Sequence, residues 1–196
     1  MFGDVMYDRI KRLLDIGLSS FMLVLLSPLF FSVMFAVNLE ARGNIFFKQQ
    51  RMGKNGHPFV IYKFRTMHPD APHNVASHRL INAARFISPI GRFLRITSLD
   101  ELPQLLNVLK GDMSFVGPRP VILQETRLLS LRRQVGADRV RPGITGLAQI
   151  RGRDRVSDEE KAAYDGEYAK NYCFLMDMRI LLSSIKYVLK RKDVCL

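Results

Sequence analysis

The pattern of apolar and polar residues divides the chain into an apolar N-terminal segment and a longer part of mixed polarity. No charged residue occurs from Ile16 to Leu39, a run of 24 residues. As one helix this run would be about 36 Å long, which is enough to cross a bilayer. Ser27-Pro28 interrupts its middle, and a proline removes a backbone hydrogen bond and clashes with the preceding turn. A break there leaves two halves of about 18 Å each, roughly the depth of one leaflet.

Positive residues flank this run at both ends. Arg9, Lys11 and Arg12 precede it, and Arg42, Lys48, Arg51 and Lys54 follow it. A single span is positive mainly on its cytoplasmic side, so the charges favour a re-entrant helix over residues 1–40 that turns at Ser27-Pro28. A single transmembrane helix with a proline kink remains the alternative, because such kinks also occur in true spans. The carbonyls freed at the break need partners, which Ser27 or a nearby serine could supply.

Beyond residue 40 the pattern predicts an α/β fold that is mostly helical, with one small β-element. Lys54-Asn55-Gly56 lies between two apolar, aromatic-rich runs, which indicates a β-hairpin with a tight Asn-Gly turn. Helices are predicted over Arg79–Phe86, Leu99–Leu109, Glu125–Val135, Asp158–Tyr168 and Met176–Lys192. The last helix combines an apolar stripe with a basic end. It either lies on a membrane surface as an amphipathic helix or packs on the core with its basic end in solvent.

The charge balance points to an anionic partner. Lys and Arg number 30 against 18 Asp and Glu, for a net charge of +12. Nucleic acid, anionic lipid and a phosphorylated substrate all fit this excess. No recognised nucleic-acid-binding motif is present, and the apolar run argues against that partner. The two cysteines and four histidines lack the spacings of metal ligands.

Two adjacent carboxylates stand out in Ser98-Leu-Asp-Glu101. The segment matches a helix capping box with Ser98 as the cap, although a helix that starts at Asp100 suits Pro103 better. In either register Asp100 lies at the positive end of a helix dipole, which is expected to lower its pKa and keep it ionised. An ionised carboxylate can act as a nucleophile, and its neighbour Glu101 can hold a divalent cation.

Several basic residues are candidates for phosphate binding. Arg119 lies between two prolines in Gly117-Pro118-Arg119-Pro120, either as part of a rigid turn or as a fixed bidentate clamp for phosphate oxygens. The further candidates are Lys63, Arg65, Arg95 and Arg141. Taken singly, such residues are more often solvated charges. Arg141 opens a glycine-rich basic loop, residues 141–153, whose backbone N–H groups could cradle phosphate. The loop matches neither common phosphate-loop pattern.

Seven motifs, taken in order, resemble one family closely. They are Lys11-Arg-Leu-Leu-Asp15, Ser27-Pro28, Phe47-Lys-Gln-Gln-Arg-Met-Gly53, Tyr62-Lys-Phe-Arg-Thr-Met67, Ser98-Leu-Asp-Glu-Leu-Pro-Gln104, Val116-Gly-Pro-Arg-Pro120 and Arg141-Pro-Gly-Ile-Thr-Gly146. The chain resembles the bacterial sugar transferase family, the monotopic polyprenyl-phosphate phosphoglycosyl transferases. The resemblance covers nearly the whole chain and corresponds to the minimal catalytic unit, without the N-terminal membrane-spanning domain of longer members.

The resemblance implies a membrane enzyme and its chemistry. Members transfer a sugar 1-phosphate from a UDP-sugar to a polyprenyl phosphate such as undecaprenyl phosphate, and UMP leaves. The family's nucleophile falls on Asp100, its Mg²⁺-binding glutamate on Glu101, and its arginines on Arg95 and Arg119. The family's re-entrant helix falls on Ser27-Pro28. Residues 41–196 are then a cytosolic catalytic domain seated on the cytoplasmic face of the bacterial inner membrane, in contact with anionic lipid.

The chain departs from the family pattern in having no tryptophan. Many members carry tryptophan where Leu147 stands, and another near Ser157-Asp158. The donor sugar therefore stays open between an N-acetylated amino sugar and a hexose such as glucose or galactose. Outside the enzyme class, the remaining alternative is a basic adaptor on the membrane surface, which would tolerate loss of Asp100.

Overall fold

The computed structural model describes residues 2–41, 44–68, 70–71, 83–152 and 156–189. Over these residues the chain is mostly helical and carries two small β-sheets, which confirms the predicted class. The helices are α1 (Phe2–Leu25), α2 (Ser27–Ala41), α3 (Pro89–Thr97), α4 (Gln104–Lys110), α5 (Thr126–Val135), α6 (Leu147–Arg151), α7 (Asp158–Asn171) and α8 (Phe174–Leu189). The strands are β1 (Phe46–Met52), β2 (Pro58–Phe64), β3 (Ser114–Val116) and β4 (Gly143–Thr145).

The apolar N-terminal segment forms two helices that meet at the predicted break. α1 ends at Leu25 and α2 begins at Ser27, and the two helices are bent by 65°. Pro28 has no N–H for the carbonyl of Val24, and the Ser27 hydroxyl donates to that oxygen instead, at 2.8 Å. The predicted role of a serine at the break is confirmed. In the described part of the chain no single helix meets the length and apolarity needed to span a membrane, whereas this bent pair meets them by length and composition only.

α1 and α2 pack directly on the rest of the protein. Val33 and Val37 of α2 form one buried cluster with Phe64 of β2 and Leu94 of α3. From α1, the buried carboxylate of Asp15 accepts hydrogen bonds from the hydroxyl of Ser114 and the backbone N–H of Phe115, at 3.1 and 3.2 Å. Lys11 of α1 forms an ion pair with Asp177 of α8. The predicted division at residue 40 therefore separates two segments that share a core.

The predicted hairpin is present. β1 and β2 pair antiparallel, with Phe46 opposite Phe64 and Met52 opposite Pro58. At the turn, Asn55 and Gly56 both adopt left-handed backbone conformations, with φ of 56° and 76°, which asparagine and glycine tolerate best. The hairpin brings Lys63, near the end of β2, towards the centre of the molecule.

The second sheet is a two-stranded parallel pair. Ser114 lies opposite Gly143, and Val116 opposite Thr145. The segment expected to be a phosphate-cradling loop is thus mainly β4 and α6. The backbone N–H of Gly143 donates to the carbonyl of Pro118 at 2.9 Å, so this amide is already used. Arg153 of that loop lies outside the described residues.

The helix predictions are confirmed to different extents. α5, α7 and α8 lie close to the predicted positions, and α8 packs Ile180 into the core while Leu182 and Ile185 stay exposed. α3 was not predicted. Its first turn is capped by Ser88, whose hydroxyl accepts from the N–H of Gly91, as in a normal N-cap. Of the helix predicted at residues 79–86, only Ala83–Phe86 is described, and it is a short 3₁₀ turn.

Candidate active site

The local backbone around the two carboxylates differs from both predicted registers. Ser98 ends α3 in a left-handed conformation with φ of 58°, and its side chain caps no helix. Leu99–Glu101 form a 3₁₀ turn, and α4 begins only at Gln104. The capping-box interpretation and the helix start at Asp100 are therefore both wrong. Pro103 explains why, because it supplies no N–H and is better accommodated just before α4 than inside it.

A fully buried asparagine aligns α4 with the hairpin. Asn107 accepts a hydrogen bond from the backbone N–H of Tyr62 at 3.0 Å and donates one to the carbonyl of Val60 at 2.7 Å. These bonds replace strand pairing along that edge of β2. They set the position of Lys63 relative to the turn that precedes α4.

One lysine and one arginine converge on the two carboxylates. Lys63 Nζ lies 2.6 Å from Glu101 Oε1 and 3.7 Å from Asp100 Oδ2. Arg119 Nη2 donates to the same Glu101 oxygen at 2.8 Å. Asp100 is 8% exposed as a residue, whereas the Arg119 side chain is 47% exposed. In this cluster the Asp100 carboxylate is buried, and the side chain of Arg119 is partly exposed to solvent.

The two carboxylates have opposite electrostatic environments. Burial raises the pKa of Asp100 above its ordinary value of 3.8, although Lys63, Arg95 and Arg119 act in the opposite direction. Burial also opposes ionisation of Glu101, but Arg119 and Lys63 outweigh it and hold its pKa far below the usual range. The expectation of a lowered pKa at Asp100 is therefore wrong. A helix dipole alone would lower the pKa of this carboxyl. Desolvation by burial raises the pKa and is the largest influence on it.

The remaining predicted phosphate ligands lie in different places. Arg95 Nε donates to the hydroxyl of Thr66 at 2.9 Å, and its charge acts on Asp100. Arg65 follows β2 and is half-buried. Arg141 lies at the opposite end of α4 from the carboxylates, where its Nε donates to the carbonyl of Gly111 at 3.1 Å. This carbonyl lies just after α4, and no described hydrogen bond links Arg141 to Asp100 or Glu101.

Two arginines that sequence reasoning did not select contact the Pro-Arg-Pro segment. Arg51 Nη1 donates to the carbonyl of Pro120 at 3.3 Å, and Arg132 Nη1 donates to the carbonyl of Arg119 at 2.9 Å. Arg51 could have been selected from the sequence, because it lies within a motif that carries the family resemblance. The sequence gives a weaker indication for Arg132, which lies four residues after the buried Leu128 on the inner face of α5.

The donor set can be tested against a divalent cation. Among the described residues, no group of three or more His, Cys, Asp or Glu side chains could hold a metal ion. Mg²⁺ usually binds through one or two carboxylates together with substrate phosphates, and keeps several waters. The adjacent carboxylates of Asp100 and Glu101 fit this mode and do not fit an all-protein metal cage.

The family profile described as bacterial sugar transferase matches residues 6–191. The chain belongs to the bacterial sugar transferase family. The uncharacterized sugar transferase EpsL of Bacillus subtilis is 41% identical to it over 185 residues, which cover 94% of this chain and 90% of that protein. The exopolysaccharide production protein ExoY of Rhizobium meliloti is 38% identical over 192 residues, covering 91% of this chain and 84% of that protein.

A relative with a named reaction is equally similar. The UDP-glucose:undecaprenyl-phosphate glucose-1-phosphate transferase of Caulobacter vibrioides is 38% identical over 194 residues, which cover 94% of this chain and 72% of that protein. The resemblance inferred from the seven motifs is thereby confirmed. This sugar transferase is an enzyme of the phosphoglycosyl transferase type.

Proposed function

We propose that this sugar transferase moves a hexose 1-phosphate from a UDP-hexose to undecaprenyl phosphate. The products are UMP and undecaprenyl-diphosphate-hexose, which makes this the first membrane step of glycoconjugate assembly. Relatives named for UDP-glucose and undecaprenyl phosphate support a hexose donor over an N-acetylated amino sugar. The Rhizobium relative named for exopolysaccharide production supports the same type of pathway.

The observation that carries the mechanism is the buried Asp100 beside Glu101, with cations on several sides. An Asp100 carboxylate oxygen attacks the β-phosphorus of the UDP-hexose. The bond from that phosphorus to the bridging oxygen breaks, and UMP leaves with the electron pair. Asp100 then carries the hexose phosphate as an acyl phosphate. In the second half-reaction, a phosphate oxygen of the lipid attacks the same phosphorus, and the Asp100 carboxylate leaves.

The surrounding cations serve both half-reactions. Phosphoryl transfer depends mainly on positioning and on neutralising charge. Lys63 and Arg95 oppose the effect of burial and favour the ionised, nucleophilic form of Asp100. Arg119, whose side chain is half-exposed beside Glu101, contacts oxygens of the transferred phosphate through its planar fork.

We also propose Mg²⁺ as the cofactor. Glu101 would hold the ion, with Asp100 beside it, in a site that also uses phosphate oxygens of the donor. When bound, Mg²⁺ supplies positive charge against the diphosphate. Glu101 suits this role because Lys63 and Arg119 keep it ionised. Glu101→Gln is expected to reduce turnover strongly, because an amide is a poorer ligand for Mg²⁺ than a carboxylate.

We further propose that α1 and α2 form a re-entrant hairpin in the inner membrane, with the catalytic domain on its cytoplasmic face against anionic lipid. The exposed apolar side chains of these helices support insertion, since Leu13, Phe21, Val24 and Phe35 are each more than half exposed. The bend at Ser27 supports return to the same side. In this arrangement the active site meets a lipid phosphate and a water-soluble sugar nucleotide.

The experiment that tests this function is intact-protein mass spectrometry after incubation with UDP-glucose and Mg²⁺, but without lipid. A hexose-phosphate adduct on the Asp100 peptide is expected, together with release of UMP. Asp100→Asn is the matched control, since the amide keeps the side chain's shape and lacks the nucleophile. A panel of UDP-sugars, with undecaprenyl phosphate present, identifies the donor by UMP release. Absence of the adduct, combined with kinetics of a ternary complex in place of ping-pong kinetics, would refute the covalent mechanism.

A further inference from the structure

The Pro-Arg-Pro segment is held by three successive carbonyl hydrogen bonds from three different elements. The carbonyl of Pro118 accepts from the N–H of Gly143 at 2.9 Å. The carbonyl of Arg119 accepts from Arg132 at 2.9 Å, and that of Pro120 accepts from Arg51 at 3.3 Å. Prolines have no N–H, so neither Pro118 nor Pro120 can donate a backbone bond of its own. The segment therefore depends on its carbonyls for its conformation.

The hydrogen bond from Arg132 to the carbonyl of Arg119 constrains the backbone from which the Arg119 side chain extends. The bond to the Pro118 carbonyl orients the peptide plane before Arg119, and the bond from Arg132 orients the plane after it. Because these two planes flank the α-carbon, together they set φ and ψ of Arg119 and hence the direction of its β-carbon. The side chain that starts from this β-carbon reaches Glu101, to which Nη2 donates at 2.8 Å.

Arg132 is itself held firmly. Its Nε and Nη2 lie 2.8 and 2.6 Å from Asp165 Oδ2, on α7. The two side chains are only 10% and 1% exposed. A buried ion pair is costly in desolvation and is weak evidence for a gain in stability. In this protein the pair leaves Nη1 of Arg132 to donate to the loop that carries Arg119.

We infer that Arg132, anchored by Asp165, is a positioning residue for the transfer reaction: it orients the Arg119 loop so that the guanidinium reaches the site of phosphate transfer. This inference rests on the proposed function, in which Arg119 contacts the transferred phosphate. Within the described residues, the hydrogen bonds of the Arg132 side chain go to the backbone of Arg119 and the carboxylate of Asp165. Its effect on the reaction therefore passes through Arg119.

A purely structural role for Arg132 would be to join α5 to α7, and the chain contains a matched pair for comparison. Arg127 of α5 forms an ion pair with Glu159 of α7. It joins the same two helices, but both side chains are more than half exposed, and no described contact links this pair to the Pro-Arg-Pro segment. Arg127→Met is thus the control for loss of an arginine from α5.

The test is a double-mutant cycle in the full chain, with undecaprenyl phosphate and UDP-glucose. Arg132→Met alone is expected to lower kcat about 10-fold, the scale of one hydrogen bond to a charged group. Its effect on KM should be smaller, because the contact that is misplaced acts mainly in the transition state. In an Arg119→Met background the same change should cost less than about 2-fold, since coupled residues are not additive. Arg127→Met should keep kcat within about 2-fold of wild type.

Each outcome has a distinct meaning. Multiplicative losses for Arg119→Met and Arg132→Met would overturn the positioning role and leave the proposed function intact. Wild-type turnover in Arg119→Met would instead remove Arg119 from the proposed mechanism. Should Arg132→Met unfold, Arg132→Lys retains a cation beside Asp165 and lacks the fork that joins Asp165 to the carbonyl of Arg119. A folded Arg132→Lys protein with wild-type kcat would overturn the inference, whereas a lowered kcat at an unchanged melting temperature would support it.

Discussion

Replacement of Lys63 by methionine tests how Asp100, the proposed nucleophile, stays ionised. Lys63 Nζ lies 3.7 Å from Asp100 Oδ2, with side chains 18% and 12% exposed. At this separation two unit charges interact by about 1 kcal/mol in bulk water and about 4 kcal/mol at an effective dielectric constant of about 20. The low exposure favours the upper part of that range. Burial already raises the pKa of Asp100, and Lys63 is the main influence that lowers it.

The expected sign follows from that balance. Without Lys63 the pKa of Asp100 rises further. On acidification the Asp100 carboxylate is therefore protonated at a higher pH than in the wild type. Turnover of Lys63→Met should therefore fall below wild type most strongly at the acid end of the range, by up to about 10-fold for each 1.4 kcal/mol of lost interaction. The deficit should shrink as the pH rises, because hydroxide then removes the proton without help from the lysine. The assay is UMP release as a function of pH, from pH 6 to 9.

Two variants separate the effect of Lys63 on the ionisation of Asp100 from other roles of Lys63. Lys48→Met removes a lysine from the same hairpin, near the ring of Tyr62, and should leave the pH profile unchanged. Lys63→Arg keeps the positive charge and should retain the wild-type acid limb. An equal deficit of Lys63→Met at every pH would refute the reasoning, since it would mean that Lys63 acts through Glu101 or on substrate and not on the protonation of Asp100.

Three further predictions follow from the same structure. Arg119→Lys should lower kcat about 10-fold or more, because a flexible ammonium cannot copy a planar fork between prolines, and near-wild-type turnover would make this arginine only a turn residue. Single cysteines at positions 4 and 44 should both be labelled from the cytoplasmic side in cells, and labelling on opposite sides would contradict the re-entrant hairpin. Tyr168→Phe removes a buried hydroxyl whose single proton is shared between two acceptors, Asp177 Oδ1 at 2.8 Å and the Val116 carbonyl at 3.0 Å. It should lower stability by about 1–3 kcal/mol, seen as a lower melting temperature, and an unchanged value would show that this hydroxyl does not contribute.

Local chemistry determined several features that the sequence alone predicted. The break at Ser27-Pro28 follows from a missing N–H, and the same serine satisfies the freed carbonyl three residues earlier. The hairpin turn follows from the tolerance of Asn55 and Gly56 for left-handed backbone. These predictions succeeded because their causes lie within a few residues of each other. The two carboxylates and the arginine between prolines were found by motif, and the structure brings Glu101 and Arg119 together.

Other features depend on which elements pack together, and only the tertiary structure decided them. The pKa of Asp100 is raised because the turn that carries it is buried and packs against α3 and β2, and desolvation cannot be read from neighbours in the sequence. Arg141 donates to the carbonyl of Gly111, just after α4, and the segment predicted as a glycine-rich loop forms mainly β4 and α6. Arg132 is separated from Asp165 by more than thirty residues, yet it pairs with that carboxylate beneath the loop of Arg119. Sequence pattern predicted which groups would take part in the proposed chemistry. The packing of distant elements decided which of them are buried, which are paired and which face the site.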